Sequence, residues 1–279
     1  MKLFFRLLKG IFSCTLLLGC LFFYAIFIEP ALLEVKHVYL NINNFSTETE
    51  LTIAQFSDTH LGFQYDLADL EKAVEKINTL KPDVIVFSGD LIDNAQQYGD
   101  INSITPILQK LQAPLGKFAV YGNHDYGGGA MKHYQQIMAE SGFTLLTNAT
   151  KKITLADGSF VGIGGLDESY FGKPEPALLE KELQKYPYQI LLLHEPDLIA
   201  EFNTLPNLAM AGHSHGGQIK LPLIGSLITT RYAEKYVAGS YQLNKDTLLY
   251  VNIGLGTTRI PMRFANVPEI TLYHLQFQK

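Results

Sequence analysis

From Ile11 to Ile28 the chain runs for eighteen residues without a charge, rich in Leu, Phe and Ile. As a helix rising 1.5 Å per residue, that run spans about 27 Å, close to the thickness of a bilayer's hydrocarbon core. The pattern then changes. "ELTIAQFSD" alternates apolar and polar positions and stops at Asp58, as a strand does. Leu67, Leu70, Val74 and Ile77 recur at helical spacing and predict an amphipathic helix ending near Lys81-Pro82. "DVIVFSGD" is short, apolar and β-branched, the mark of a strand buried on both faces. A helix over about 101–111, a strand in "KFAVYGNHD" and a helix over about 130–140 follow. Hairpins are predicted around "ADGS" (156–159) and "NKD" (244–246). "YQILLLHEPD" and "NLAMAGHSH" supply two further buried strands, and "PEITLYHLQF" closes the chain as another. "VKHVYL" (35–40) is not placed by its pattern.

Strand alternates with helix in the first half and strands dominate the last third. This predicts an α/β domain with one largely parallel sheet and a second, more antiparallel one. The chain divides into an N-terminal segment, 1–30, and one globular domain, 31–279, with no linker-like stretch inside it. Five of the expected strands end in polar clusters: Asp58 and His60, Asp90, Asn123 and His124, His194, then His213 and His215. Ligands of open α/β sheets bind beyond the carboxyl ends of the strands, so these endings are candidates for a common site.

Charge changes the reading of the N-terminus. Lys2, Arg6 and Lys9 precede the apolar run, while Glu29 and Glu34 follow it. By the positive-inside rule the segment is a single-pass anchor in the cell membrane, with the globular domain on the extracytoplasmic side. Three other readings compete. A cleaved signal lacks an A-x-A-like site before Glu29. "LLLGC" (16–20) resembles a lipobox with Cys20 as the lipidated residue, yet "LFFY" continues the apolar run past it. A buried core helix usually keeps a polar face, and this segment has none. Cys14 and Cys20 are the only cysteines, so the globular part has no disulfide, no thiolate ligand and no cysteine nucleophile. A formal charge of -5 gives no sign of a nucleic-acid partner.

Each polar ending has a plain structural alternative: "SGD" as a turn, "GNHD" as a cluster of turn-formers, His194 as a hydrogen-bonded core residue. Together they are two Asp, one Asn and four His, seven oxygen or nitrogen donors without sulfur. That exceeds the four ligands of a tetrahedral zinc and suits two metals sharing one carboxylate, whose two oxygens can reach different ions. Mixed imidazole and carboxylate favours Mn, Fe, Zn or Co over Mg or Ca.

In its order "DTH…GDLID…GNHD…H…GHSH", residues 58 to 215 resemble the calcineurin-like metallophosphoesterase superfamily. The resemblance implies a four-layer αββα sandwich of two mixed sheets flanked by helices. It implies two divalent metal ions, Mn²⁺ first, with Fe, Zn or Co as alternatives. Asp58, His60 and His215 would hold one ion, Asn123, His194 and His213 the other, and Asp90 would bridge them. His124 matches the catalytic histidine, which protonates the leaving oxygen or steadies the phosphoryl charge. Asp125, grouped with His124 at the catalytic position, and Asp93 would hold His124 and the ligand loops in place, or serve merely as turn carboxylates. Two ions about 3.5–4 Å apart acidify a bridging water, whose hydroxide would attack phosphorus in line without a covalent phospho-enzyme.

A narrower likeness comes from "HEPD" (194–197), "GGQIKLPLIG" (216–225), "RYAEKYVAG" (231–239), "NIGLG" (252–256) and "PMRFANVPEI" (261–270), behind a membrane segment. These are similar to a bacterial membrane-associated phosphodiesterase subgroup. That subgroup includes general phosphodiesterases and a UDP-diacylglucosamine pyrophosphatase of lipid A synthesis. Ile253 departs from it, since relatives often carry Arg before "GLG". Lys220, Arg231, Arg259 and Arg263 are candidates to meet an anionic substrate or merely surface charges. Tyr232 and Tyr236 are candidates to stack on a base or sugar, or to pack. The expected activity is hydrolysis of a phosphodiester or pyrophosphate, on an envelope or lipid-linked substrate. A lipid A pyrophosphatase is the alternative, and its nucleotide-linked substrate on the cytoplasmic side conflicts with the expected topology. A surface-tethered, non-catalytic binding protein is the alternative of another class; it would be expected to lose ligand residues, and all seven are present.

Overall fold

The computed structural model describes residues 1–279 apart from 44, 222, 223 and 227, so two positions of the "GGQIKLPLIG" motif lie outside the described residues. Helix α1 (Lys2–Phe23) continues through a π-helical turn (Tyr24–Ile28) and a 3-10 turn (Glu29–Ala31). No residue of α1 is buried, which removes the core-helix reading of this segment. Beyond Lys9 the helix carries no charge, and a long uncharged apolar helix packed on nothing has no favourable place in water.

The strands are β1 (Glu34–Ile42), β2 (Thr49–Phe56), β3 (Val84–Phe87), β4 (Lys117–Ala119), β5 (Phe143–Leu145), β6 (Ala149–Thr154) and β7 (Phe160–Gly165). Then come β8 (Gln189–Leu192), β9 (Leu208–Ala211), the short β10 (Lys220–Leu221) and β11 (Gly225–Ser226), β12 (Gly239–Asn244), β13 (Thr247–Val251) and β14 (Glu269–Phe277). One sheet has the order β1-β14-β2-β3-β4-β5 and the other β12-β13-β9-β8-β7-β6. Both are mixed. β2 through β5 run parallel, and so do β7, β8, β9 and β13, with antiparallel hairpins at both edges of the second sheet.

Side-chain alternation produces the layers. In β2, Leu51 and Ile53 face the space between the sheets, while Ala54 and Phe56 face helices α2 (Leu67–Leu80), α3 (Ile104–Leu108) and α5 (Met131–Glu140). In β8, Ile190 and Leu192 face the same central space, and Leu191 faces outward against Leu179 and Leu183 of α6 (Pro176–Leu183). The result is the expected four-layer αββα sandwich. Strands buried on both faces read as unbroken apolar runs because each face has its own apolar neighbour.

Helix α2 starts at an Asp66–Asp69 capping box and ends at Lys81, in the left-handed region ahead of Pro82. The helix expected over 101–111 is shorter: a 3-10 turn at Ile101–Ser103 leads into α3. Pro106 has no N–H, and its ring crowds the carbonyl four residues earlier, so it is tolerated in the first turn of α3 but a regular helix cannot start as far back as residue 101. "VKHVYL" lies in β1, an edge strand paired in parallel with β14. Val38, Leu40 and Ile42 alternate with exposed positions and pack against the inter-sheet core, but none is fully buried, so the pattern is weak.

Candidate metal centre

The loops after β2, β3 and β9 turn sharply as soon as the strand ends. Asp58, His60, Asp90, His213 and His215 all have positive φ, between 44° and 69°. Asp and His tolerate this region better than most residues, and such strain gathers at functional sites. Close approach adds its own demand. A Cβ on Gly89 would lie 2.6 Å from both the Gly122 nitrogen and His194 Nδ1, and one on Gly122 would collide with the Asp90 carboxylate.

These turns bring the polar endings of both sheets together. The potential ligand atoms of Asp58, His60 and His215 lie within 4.8 Å of one another, as do those of Asp90, His194 and His213. His215 Nε2 is 3.0 Å from His60 Nε2, and His213 Nδ1 is 3.1 Å from His194 Nε2. Asp90 Oδ2 sits between the groups, 3.4 Å from His60 Nε2 and 3.2 Å from His194 Nε2. Asn123 opens the short helix α4 (Asn123–Tyr126), and its buried Oδ1 has no hydrogen-bond partner.

Tautomers follow from the outer nitrogens. His60 Nδ1 donates to Asp93 Oδ1 at 3.1 Å, and His194 Nδ1 to the Ser88 carbonyl at 2.7 Å. His213 Nε2 donates to the Arg231 carbonyl at 2.9 Å, and His215 Nδ1 to the Gly256 carbonyl at 3.3 Å. Each ring therefore aims its other nitrogen inward, and each inward pair must share a cation, either a proton or a metal. Burial pushes the His213 pKa down to about 3 and holds His215 well below its usual value. Burial also opposes charge on His194, but the Asp90 carboxylate outweighs it and raises that pKa well above normal. A proton on His194 then stands where a metal would, and metal binding releases it. Inward lone pairs, a carboxylate between two groups and the orphaned Asn123 Oδ1 together suit two divalent cations.

His124 lines the same cavity of about 250 Å³. Its Nδ1 donates to the Asp93 carbonyl at 2.7 Å, and its backbone N–H to Asp90 Oδ1 at 2.8 Å. Burial lowers its pKa, yet the charges of Asp90, Asp93 and Asp125 and the Asp93 carbonyl leave it raised overall.

Of the two contacts expected of Asp125, those to the ligand loops are present and one to the His124 ring is not. Its carboxylate accepts from the backbone N–H groups of Gly122 and Asp90 at 2.8 Å and of Leu91 at 2.9 Å. It ties the β3 and β4 loops together from beneath, and Asp93 alone of the two acids reaches the His124 ring. Arg263 is a second correction. Fully buried, it donates to the carbonyls of Ile253 (2.9 Å), Gly254 (3.1 Å), Gly256 and Asn266, and is no surface charge. Ile253, the position where relatives often carry Arg, is buried against the Gly216 turn. Lys220 is half-buried on β10, and Arg231 lies over the Tyr232 ring at 4.6 Å. Of the four cations only Arg259 lines the cavity. Tyr236 packs in the outer core of the second sheet. Tyr170, which no motif singles out, forms a cavity wall with its ring 5.8 Å from that of His213. Three backbone N–H groups bound by the buried Glu168 carboxylate, from Tyr170, Phe171 and Gly172, hold that wall in place.

An αββα sandwich whose strand ends gather two groups of candidate metal ligands, with Asp90 between them, fits the class of metal-dependent phosphoesterases. Residues 51–217 match the family model described as calcineurin-like phosphoesterase, and the chain belongs to that family. It is a metal-dependent phosphohydrolase of the metallophosphoesterase type. It is 40% identical over 277 residues to the metallophosphoesterase YkuE of Bacillus subtilis, covering 97% of this chain and 96% of that one. It is 29% identical to UDP-2,3-diacylglucosamine pyrophosphatase LpxG of Chlamydia trachomatis, across 90% and 92% of the two chains. A Danio rerio transmembrane protein with metallophosphoesterase domain is 30% identical over 79% of this chain and 52% of its own length.

Proposed function

We propose that the centre holds two divalent cations, Mn²⁺ in the first instance. Asp58, His60 and His215 hold one, Asn123, His194 and His213 the other, and Asp90 bridges them. The observation that carries this reading is the pair of inward imidazole couples at 3.0 and 3.1 Å, whose outer nitrogens are already committed. Two such cations supply Lewis acidity toward phosphoryl oxygens and an acidified water. The protein's own groups do the rest. His124, with Nδ1 engaged, presents Nε2 as the atom that gives a proton to the leaving oxygen. Asp93 fixes the rings of both His60 and His124, and Asp125 fixes the loops beneath them. Arg259 at the rim attracts an anionic substrate.

Residues 1–30 act as a membrane anchor, and 31–279 form the catalytic domain on the extracytoplasmic side. The uncharged run, the basic residues before it and the exposure of α1 on all sides support this. The substrate is a phosphodiester or pyrophosphate of the envelope, and a lipid-linked one shares the surface to which the enzyme is tethered. Likeness to LpxG across most of both chains supports the pyrophosphate form and conflicts with the topology unless the domain faces the cytoplasm.

The test is metal content by elemental analysis with turnover of bis-p-nitrophenyl phosphate, for wild type and Asp90→Asn. The wild type should carry two equivalents of metal. Asp90→Asn should lose at least one, and at least about 100-fold in turnover, consistent with a ligand shared by both ions. Two equivalents and full turnover in Asp90→Asn would remove the bridging role. A panel of lipid, nucleotide and wall-polymer phosphodiesters identifies the substrate, and protease accessibility on intact cells identifies the side of the membrane.

A further inference from the structure

The end of the apolar N-terminal helix does not simply lead into the domain. It is bonded to Gln64, in the loop that follows Asp58 and His60, and to the 263–266 segment, which in turn contacts His215. Pro30 has no N–H to offer the Ala25 carbonyl five residues back in the π turn, and that carbonyl instead accepts from the Arg263 backbone N–H at 2.9 Å. The Ile26 carbonyl accepts from Gln64 Nε2 at 2.7 Å. Glu29, only 1% exposed, accepts from the Asn266 backbone N–H.

Two of these contacts lead one step further, to a candidate ligand. Asn266 Nδ2 donates to the His215 carbonyl at 2.6 Å. The Arg263 guanidinium and His215 Nδ1 share the Gly256 carbonyl. The Gly256 N–H in turn donates to the Asp58 carbonyl at 2.8 Å. Gln64 lies four residues past His60 and also accepts from Thr257 Oγ1 at 2.8 Å, closing the ring between the two loops. The other group is built differently. His194 leans on Ser88 and His213 on Arg231, and among the described residues neither donates to segment 24–31.

We infer that residues 25–29 are a positioning element for one of the two cation sites, the one formed by Asp58, His60 and His215. This rests on the two-cation reading above. The membrane segment is then part of the active centre as well as a tether; its last turns set the affinity of one ion and bear on the other only through the His213 N–H, which donates to the Asp58 carboxylate at 3.0 Å. π turns within helices are often found at functional sites, and here the turn frees the carbonyls that reach the catalytic domain.

The experiment uses the full chain in lipid nanodiscs, with Mn²⁺ titrated into metal-free protein and both binding steps followed by electron paramagnetic resonance and elemental analysis. Variants are Glu29→Ala, Glu29→Gln and Gln64→Ala, with circular dichroism as the check on folding. Removing a group that orients a ligand costs about 10–100-fold in metal affinity. Glu29→Ala and Gln64→Ala should therefore weaken one of the two binding steps by about tenfold or more and the other by clearly less. Glu29→Gln keeps the accepting oxygen and should retain both steps. If Glu29→Ala fails to fold, the half-exposed Gln64→Ala decides. Folded variants with two wild-type binding steps, or with both steps weakened equally, overturn the inference. A wild type that binds fewer than two ions overturns the two-cation reading instead.

Discussion

Asp125 separates a positioning role from a chemical one. In Asp125→Ala three buried backbone N–H groups, those of Gly122, Asp90 and Leu91, lose their acceptor. A buried donor left unpaired costs about 1–3 kcal/mol, so the loss should reach at least about 3 kcal/mol. For a domain of this size that corresponds to roughly 6–12 °C in Tm. Asp125→Asn is milder. Its single oxygen can face Gly122 and Asp90, and its NH₂ then opposes the Leu91 N–H, so one bond of the three is lost.

Titration adds a sign. Burial, with the Asp90 charge behind it, raises the Asp125 pKa from 3.8 to about 7. A group whose folded pKa is raised stabilises fully below its unfolded pKa, and that contribution is lost as pH rises through the folded value. Asp125 therefore contributes a loss of stability to metal-free protein between about pH 4 and pH 7, and Asp125→Asn should remove that contribution from the wild-type pH profile. The assay is thermal denaturation in chelator across this range, beside turnover of a chromogenic phosphodiester with metal present. Turnover should fall in proportion to misplacement of the loops, more in Asp125→Ala than in Asp125→Asn. Lost turnover in Asp125→Asn with Tm and metal content unchanged would refute the reasoning and make Asp125 a catalytic group.

His124→Ala should lower kcat by about 10²–10⁴-fold, while elemental analysis still finds two equivalents of metal. The loss should shrink for substrates whose leaving group needs no proton, such as p-nitrophenolate. Exhaustive chelation should abolish turnover and lower Tm, since ions that bind only the folded state stabilise it by mass action. Calorimetry with added Mn²⁺ should show Tm rising with metal concentration and protons released on binding.

Much of the centre is legible in the chain because its parts are local. A strand buried on both faces is an apolar run, and a polar ending marks where it leaves the sheet; Asp58, Asp90, His194 and His213 are all found that way. The αββα layering follows from the same alternation. Other features leave little local trace. β1 buries its apolar side chains only in part, and its place at the sheet edge is set by backbone pairing with β14. Arg263 has the sequence signature of a surface charge, and only the crowded carbonyls of residues 253–256 show it to be a core residue.

The chain by itself determined which side chains are available to hold cations, and that they stand at strand ends. Only the tertiary structure decided how they are used. Which nitrogen of each imidazole faces inward depends on an acceptor that another segment supplies: Ser88 for His194, Gly256 for His215. Asp125 faces backbone, and not the neighbouring His124 ring, because the β3 and β4 loops pass over it. Hydrogen-bond partners of this kind are set by the stacking of two sheets and the docking of a helix end. Residues that meet there lie tens to hundreds of positions apart, beyond the reach of any local pattern.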